Sequence, residues 1–421
     1  MRILADLIEP CFRRNDRLPP GIVRDVADDK TRVLFVNTPT YRPMGADTWI
    51  HTQIIGRLDR ATHELHVALA EGRPGQRTPT FEALQGVTGV RLRPVNLGPE
   101  RSGRSLAGKL AAVIATLPAL VSVASLAWYV RTRRIDVIHT SDRPRDALAC
   151  VVIARLTRVP CVVHVHTAWG PWMGRLVRWT LRRADALIAV SEFVGRSLVA
   201  GGHRPDRVHV VLNAIDLDSW KPGVDRDAAR HELTVEPETP VVLTVCRLAP
   251  EKGPAELIEA LAAVRGEHPD VQLLIAGLDL SVDQWFAVEL AEQVHRRELD
   301  RNVRFLGWRD DVVRLMAAAD VYAMPSTAEP FGLVFAEAMA MKVPVLALAD
   351  GGTPEVVEHR RSGLLSTHGD VETLAANLSE LLGNPGLRRR LGEYGRRRVE
   401  AQFTTERLAA DVAAVYARIA S

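Results

Sequence analysis

The sequence predicts an α/β protein made of two doubly wound parallel sheets. Short apolar runs ending in turn residues recur along the chain, as strands buried on both faces do. Helical patterns lie between many of them, and strand–helix alternation gives a parallel sheet. The pattern restarts after "NAIDLDSWKPG", and 421 residues are too many for one ordinary domain, so two such units are expected.

Residues 1–30 are polar, contain Pro19-Pro20-Gly21 and read as an N-terminal extension without its own core. The first domain is expected over residues 31–215. Its strands are "RVLFVNTP", "LHVALA", "VRLRPV", "DVIHT", "CVVHVHT", "ALIAVS" and "VHVVLN". Between the third and fourth lies "LAAVIATLPALVSVASLAWYV", Leu110 to Val130, with 21 residues and no charge. That length would span a bilayer. A single span, however, would put "VRLRPV" and "IDVIHT" on opposite sides of the membrane, where they could not share a sheet. The segment therefore reads as one or two crossover helices, kinked or broken near Pro118. Its apolar face and the basic collar Arg131, Arg133 and Arg134 suit peripheral membrane contact. The boundary falls near Asn213 to Gly223, and the second domain is expected over residues 216–402. It contains "VVLTVCRL", the helix "PAELIEALAAVRGEHP", "VQLLIAGL", "VRFLGW", "DVYAMPS" and "VPVLALAD". The last helix, within 403–421, is amphipathic and suits packing on either domain.

Composition narrows the class. Hydrophobic residues at 47% with 25% charged residues are those of a globular chain. The 54 basic and 51 acidic side chains leave a net charge of +3, which argues against a general nucleic-acid binder. Cys11, Cys150, Cys161 and Cys246 form no CxxC pair, so neither a zinc site nor a disulfide framework is expected. The N-terminal "MRILADLIEPCFRRNDRLPP" is broken by Asp6 and Glu9 and does not read as a signal peptide. A cytoplasmic protein, with contact at the inner face of a membrane, is the expectation.

The chemistry concentrates in "STAEPFGLVFAEAMAMKVPVLAL", Ser326 to Leu348. "DVYAMPS" reads as a strand and "FGLVFAEAMAMK" as the following helix. The loop between them then lies at the carboxyl edge of a parallel sheet, where such folds bind ligands. The backbone N–H groups of Phe331, Gly332 and Leu333 open the helix and can receive an anion, with Gly332 allowing close approach. Glu329 precedes them, and Glu337 follows after seven intervening residues. Glu337 sits among Phe335, Ala336, Ala338 and Met339, an unusual place for a merely solvated carboxylate. One carboxylate on a sugar, amides on a phosphate and one carboxylate on a ribose diol would hold a nucleotide-diphosphate sugar. "CRLAPEKGPAEL" adds Arg247 at a strand end and Lys252 at a helix start, both suited to a pyrophosphate without a metal.

These motifs, "RLAPEKG" and "EPFGLVFAEAMAMKVPVLALADGGTPEVVE", resemble the retaining glycosyltransferases of family 4, which have the GT-B fold. The resemblance runs from Thr31 through nearly the whole chain. It implies two Rossmann-like domains whose parallel sheets face each other across a cleft, with the donor mostly on the C-terminal domain. It implies Arg247 and Lys252 on the diphosphate, Glu329 on the transferred sugar, Glu337 on the ribose, and His166 of "HVHT" near the sugar from the opposite domain. Where the family commonly has a Gly-Gly pair, this chain has Gly45 followed by Ala46 and Asp47. Gly45 can still let the diphosphate approach. Asp47 either orients an acceptor hydroxyl or caps the helix starting near Thr48.

The implied reaction is retaining transfer of a hexose-type sugar, UDP-linked in preference to GDP-linked. The family precedent is front-face attack with no required cofactor or metal. The acceptor is a small molecule, a glycan or a lipid-linked hydroxyl. Trp169 and Trp172, near the basic "GRLVRWTLRRAD", either meet an amphipathic acceptor or form a stabilising aromatic cluster. Trp308 either stacks on the base or packs internally. A sugar-nucleotide 2-epimerase of related fold and a non-catalytic sugar-nucleotide sensor are the alternative readings. The paired glutamates weigh against the first and the intact charged set against the second.

Overall fold

The computed structural model of the chain describes residues 30–40, 44–73, 76–98 and 116–420. The N-terminal extension before Lys30 and the first residues of the uncharged Leu110–Val130 segment lie outside the described residues.

The first sheet comprises β1 (Thr31–Asn37), β2 (His63–Leu69), β3 (Val90–Pro94), β4 (Val137–Ser141), β5 (Cys161–Val165), β6 (Ala186–Ala189) and β7 (Val208–Val210). Their spatial order is β3-β2-β1-β4-β5-β6-β7. The second sheet comprises β8 (Val241–Val245), β9 (Gln272–Ala276), β10 (Val303–Gly307), β11 (Val321–Met324), β12 (Val345–Leu348) and β13 (Gly363–Ser366), in the order β10-β9-β8-β11-β12-β13. Every pairing within these two sheets is parallel. In each, the strand order reverses beside the first strand, between β1 and β4 and between β8 and β11. A crevice opens there at the carboxyl ends, which is where doubly wound sheets bind ligands.

The strand interiors explain themselves. Val33 to Val36, Val137 to Ser141 and Cys161 to Val165 are buried on both faces. β-branched residues fill such a pleat well. β13 is absent from the sequence expectation because Gly363-Leu364-Leu365-Ser366 is too short to show a period. The uncharged segment forms a single helix over its described part, Thr116–Thr132. Pro118 lies in the first described turn of this helix, and the chain before Thr116, where the expected break near it would fall, lies outside the described residues. Among the described residues, no helix is long and apolar enough to cross a membrane.

Two contacts set the sheets face to face. The helix Thr405–Ile419, capped by Thr404, crosses back to the first sheet. Leu408, Val412, Val415 and Tyr416 pack there with Ile50 and Ile54 of the helix Ala46–Arg57. The Tyr416 hydroxyl reaches His139 Nδ1, and Arg407 donates to the carbonyls of Leu212 and Asn213. On the opposite side, the Glu355 carboxylate accepts from the N–H groups of Glu192 and Phe193, both at 2.7 Å. A carboxylate thus sits at the positive end of the helix Glu192–Ala200, where it is favoured.

Tyr416 is fully buried, so Tyr416→Ala is expected to cost about 3–5 kcal/mol, the range for large aromatic truncations. Thermal unfolding followed by circular dichroism measures this. An unchanged melting temperature would contradict the docking of the last helix.

Candidate active site

The C-terminal wall of the cleft is built by the loop after β11. This loop runs into the helix Leu333–Ala340 through Gly332, which has φ +86°. A Cβ there would lie 2.3 Å from the Phe335 ring, so backbone geometry itself requires glycine. The N–H groups of Phe331, Gly332, Leu333 and Val334 find no acceptor among the described residues. The Phe331 side chain turns inward and meets the Phe403 ring edge-on at 5.5 Å, away from its unsatisfied amide. Ala328 is held at φ +49°, an uncommon conformation for a residue with a side chain, and its N–H bonds Asp350 Oδ2 at 2.8 Å.

Glu329 follows this strained residue and is fixed by two partners. Lys252 Nζ lies 2.6 Å from its Oε2, and the Ser326 hydroxyl donates to the same oxygen at 2.8 Å. Lys252 reaches it because Gly253, at φ +73°, lets the β8 loop press on Pro325. A Cβ on Gly253 would sit 2.2 Å from the Pro325 carbonyl oxygen. Arg247 is half-exposed at the rim and pairs with Glu251. The Glu337 carboxyl makes no hydrogen bond and no ion pair among the described residues, and burial pushes its pKa up to about 7.

On the opposite wall, His166 follows β5 directly. Its N–H donates to Asp142 Oδ2 at 3.1 Å, and the Thr167 hydroxyl reaches the same oxygen at 3.0 Å. Burial lowers the imidazole pKa and keeps the ring neutral at physiological pH. Behind it lie His164, His51 and His139. Burial drives His51 down to about 3 and the other two well below the ordinary histidine range. Nε2 of His51, His139 and His166 and both ring nitrogens of His164 lack hydrogen-bond partners. His51, His164 and His166 bring ligand atoms within 4.8 Å of one another, the spacing of a candidate metal group. The His164 and His166 rings stack at 4.5 Å and 27°. Stacked neutral imidazoles account for this geometry.

Two acceptor-side expectations change. Asp47 neither caps its helix, whose N-cap is Gly45 without a side-chain bond, nor stands free. It forms a bidentate pair with Arg143 at 2.6 and 2.8 Å. Burial alone would raise its pKa, but the net shift is downward. Arg143 is the effective cause at neutral pH, because His166 is uncharged there. Trp169 packs away from the cleft. Its ring meets His203 at 4.7 Å and carries the Arg182 guanidinium at 5.5 Å. An indole in a loop finds its neighbours through tertiary structure, which the local sequence does not display.

The two walls enclose a cavity of about 530 Å³ lined by His166, Lys252, Glu329, Phe331, Gly332, Leu333 and Glu337. Met44 and Ala46, the neighbours of Gly45, line it too. Trp49, Asn213 and Trp220 also face it and were not singled out by sequence. The Asn213 side-chain oxygen is buried without a partner, and only the motif "VLNAIDLDSW" hinted at it. A second cavity of about 780 Å³ shares Val245, Cys246 and Arg247 and holds Trp308, which is 55% exposed. Internal packing of Trp308 is thereby ruled out.

Because folded Glu337 holds its proton up to about 7, the native state binds more protons than the unfolded chain between pH 4.5 and that value. Stability therefore falls as pH rises through this window. Glu337→Gln should remove that fall, so its melting temperature gains on the parent protein as pH rises. A constant difference from pH 4.5 to about 7 would contradict the burial of this carboxyl.

The model of "Glycosyl transferases group 1" matches residues 225–398, and that of "Glycosyltransferase Family 4" matches residues 51–219. The D-inositol 3-phosphate glycosyltransferase of Jonesia denitrificans is 38% identical over 360 residues, covering 78% of this chain and 82% of that protein. A GDP-mannose-dependent monoacylated alpha-(1-6)-phosphatidylinositol monomannoside mannosyltransferase of Corynebacterium glutamicum is 32% identical, covering 69% and 78%. Among solved structures, Anabaena HepE in complex with UDP and glucose superposes with a TM-score of 0.75 at 25% identity, over 92% of this chain and 100% of that one. Two facing parallel sheets, a shared cleft and these matches lead to one conclusion: the chain belongs to the group 1, family 4 glycosyltransferases of GT-B fold.

Proposed function

We propose that the protein moves a hexose-type sugar from a nucleotide-diphosphate sugar to an acceptor hydroxyl, with retention at the anomeric carbon and no required metal. One observation carries this reading. Unsatisfied helix N–H groups, Lys252, Glu329, Glu337 and His166 all converge on a single 530 Å³ cavity. The diphosphate takes the amides of Phe331 to Leu333 with Lys252 and Arg247, and the ribose diol takes Glu337. Glu329 and the neutral His166 hold hydroxyls of the transferred sugar from opposite walls. The base enters the adjoining cavity against Trp308. Uracil is the proposed base, supported by UDP in the Anabaena structure; guanine, named for the Corynebacterium relative, is the competitor.

In the reaction, the anomeric C–O bond to the diphosphate breaks and the acceptor oxygen bonds the same carbon from the same face. The acceptor proton passes to a leaving phosphate oxygen. The protein's share is electrostatic: fixed donors face the oxygens on which negative charge grows. Closing of the two walls excludes water, which would otherwise hydrolyse the donor. Inositol appears in the names of both relatives above, which supports a polyol hydroxyl, free or in a lipid, as acceptor.

Lys252→Ala and Arg247→Ala are each expected to lower turnover by about two orders of magnitude or more. Donor consumption with UDP-, GDP- and ADP-sugars, with and without added magnesium, measures it. Near-parental rates in both variants would overturn the diphosphate assignment. An isomerised donor formed without acceptor would replace transfer by epimerisation.

A further inference from the structure

A short segment after β12 touches both walls of the cleft from outside the cavity. The chain turns there through Asp350, Gly351 and Gly352 into the helix Thr353–Val356. The start of this segment lies on the backbone that carries Glu329. Asp350 Oδ2 accepts from the Ala328 N–H at 2.8 Å, and the Gly352 N–H donates to the Glu329 carbonyl at 2.7 Å. A Cβ on Gly352 would lie 2.4 Å from the Pro330 carbonyl oxygen, so the approach requires glycine. Glu355 follows one turn later, and its N–H donates to the Gly352 carbonyl at 3.0 Å. Arg398 donates to the carbonyls of Glu355 and Val356 at 2.7 and 3.0 Å and fixes the backbone there.

The Glu355 side chain reaches the other domain. Its two oxygens accept from the Glu192 and Phe193 N–H groups, and Arg196 Nη2 lies 3.9 Å from Oε1. The Ser191 hydroxyl takes the Val194 N–H at 3.1 Å. The first three amides of the helix Glu192–Ala200 are therefore satisfied by one local cap and one carboxylate from the facing domain. This helix starts beside the site. Val190 lines the cavity, and its N–H meets the carbonyl of Val165, the residue before His166, at 3.4 Å. One carboxylate thus connects the wall bearing His166 with the loop bearing Glu329. The contact is polar and 18% exposed on the Glu355 side, so water can replace it when the walls part.

We propose that Glu355 is a positioning residue for the transfer step. Its carboxylate engages the Glu192 and Phe193 amides when the walls meet, and through Gly352 this engagement holds Glu329 against the transferred sugar. The inference rests on the donor reading given above. Glu355 touches no substrate itself: it lies outside the residues that line the cavity. Its effect belongs to the closed, reacting complex, whereas the diphosphate and ribose contacts lie on the second domain alone.

Glu355→Ala and Glu192→Pro break the contact from opposite sides. Proline is favoured at a first helical position, removes the N–H there, and suits the extended Ser191 before it, at φ −160° and ψ 163°. Calorimetric affinity for uridine or guanosine diphosphate should stay within about twofold of the parent's in both variants, which also shows that they are folded. Their kcat for consumption of UDP-glucose or GDP-mannose should fall at least about tenfold, as loss of a hydrogen bond to a charged group implies. Glu355→Gln keeps one acceptor oxygen and should recover part of that loss. The double variant Glu355→Ala, Glu192→Pro should lose no more than the worse single one, because both remove the same contact. Parental kcat in both single variants would overturn the inference, as would losses that add in the double variant or a fall in nucleotide affinity that matches the fall in kcat. A parent protein that binds neither nucleotide, or consumes neither sugar nucleotide, would instead overturn the donor reading, and this inference with it.

Discussion

The Lys252–Glu329 ion pair is the contact on which the cleft depends. Its side chains are only 21% and 12% exposed, so neither charge is well solvated without the other. The pair forms because two loops of the second sheet are pressed together. Gly253 lets the β8 loop touch Pro325, and the strained Ala328 aims Glu329 across the gap. A diphosphate arriving at the Leu333 helix start would meet a lysine already held in place by a carboxylate. That carboxylate then stays beside the sugar, with Ser326 still fixing its orientation. On the proposed reading, donor recognition would rest on charges that the fold has already brought together, leaving little reorganisation for the reacting complex.

The opposite wall is organised differently. Its first layer, His166, is backed by imidazoles that stack on one another and on Phe35. Burial keeps them neutral, so the wall offers hydrogen-bonding groups without adding positive charge to the cleft. Asp47 and Arg143 neutralise one another nearby. On the facing wall Lys252 and Arg247 are likewise paired, with Glu329 and Glu251, and helix amides without acceptors add the positive end of a helix there. The cores reflect this division as well. The last helix returns to the first sheet, and Glu355 ties that sheet to the second, so the spacing of the walls depends on side chains far from the cavity.

Much of this was legible in the sequence because its signals are local. The apolar flanks of Glu337, the turn before Phe331 and the strand before Arg247 all lie within short windows. Elements that could not be read are set by partners distant along the chain. Asp47 meets Arg143 across 96 positions, and Tyr416 meets His139 across 277. No window contains either pair. Trp169 and Trp49 show the same limit: both are loop or helix indoles in sequence, yet only Trp49 faces the cavity. The amphipathic last helix declared an apolar face but not which sheet would cover it. β13 was missed for a different reason, since four residues in a short parallel edge, three of them buried, carry no periodicity.

The central claim is that Glu337 reads the ribose of a donor whose diphosphate lies at the helix start. A thermodynamic cycle tests it most directly: calorimetric binding of uridine diphosphate and of its 2′,3′-dideoxy analogue to the parent protein and to Glu337→Gln. The account predicts that removing the hydroxyls weakens binding to the parent protein by about 1.5–3 kcal/mol, as expected for hydrogen bonds to a charged group, and hardly weakens binding to the variant. Equal losses in both proteins would place the ribose elsewhere and contradict the account.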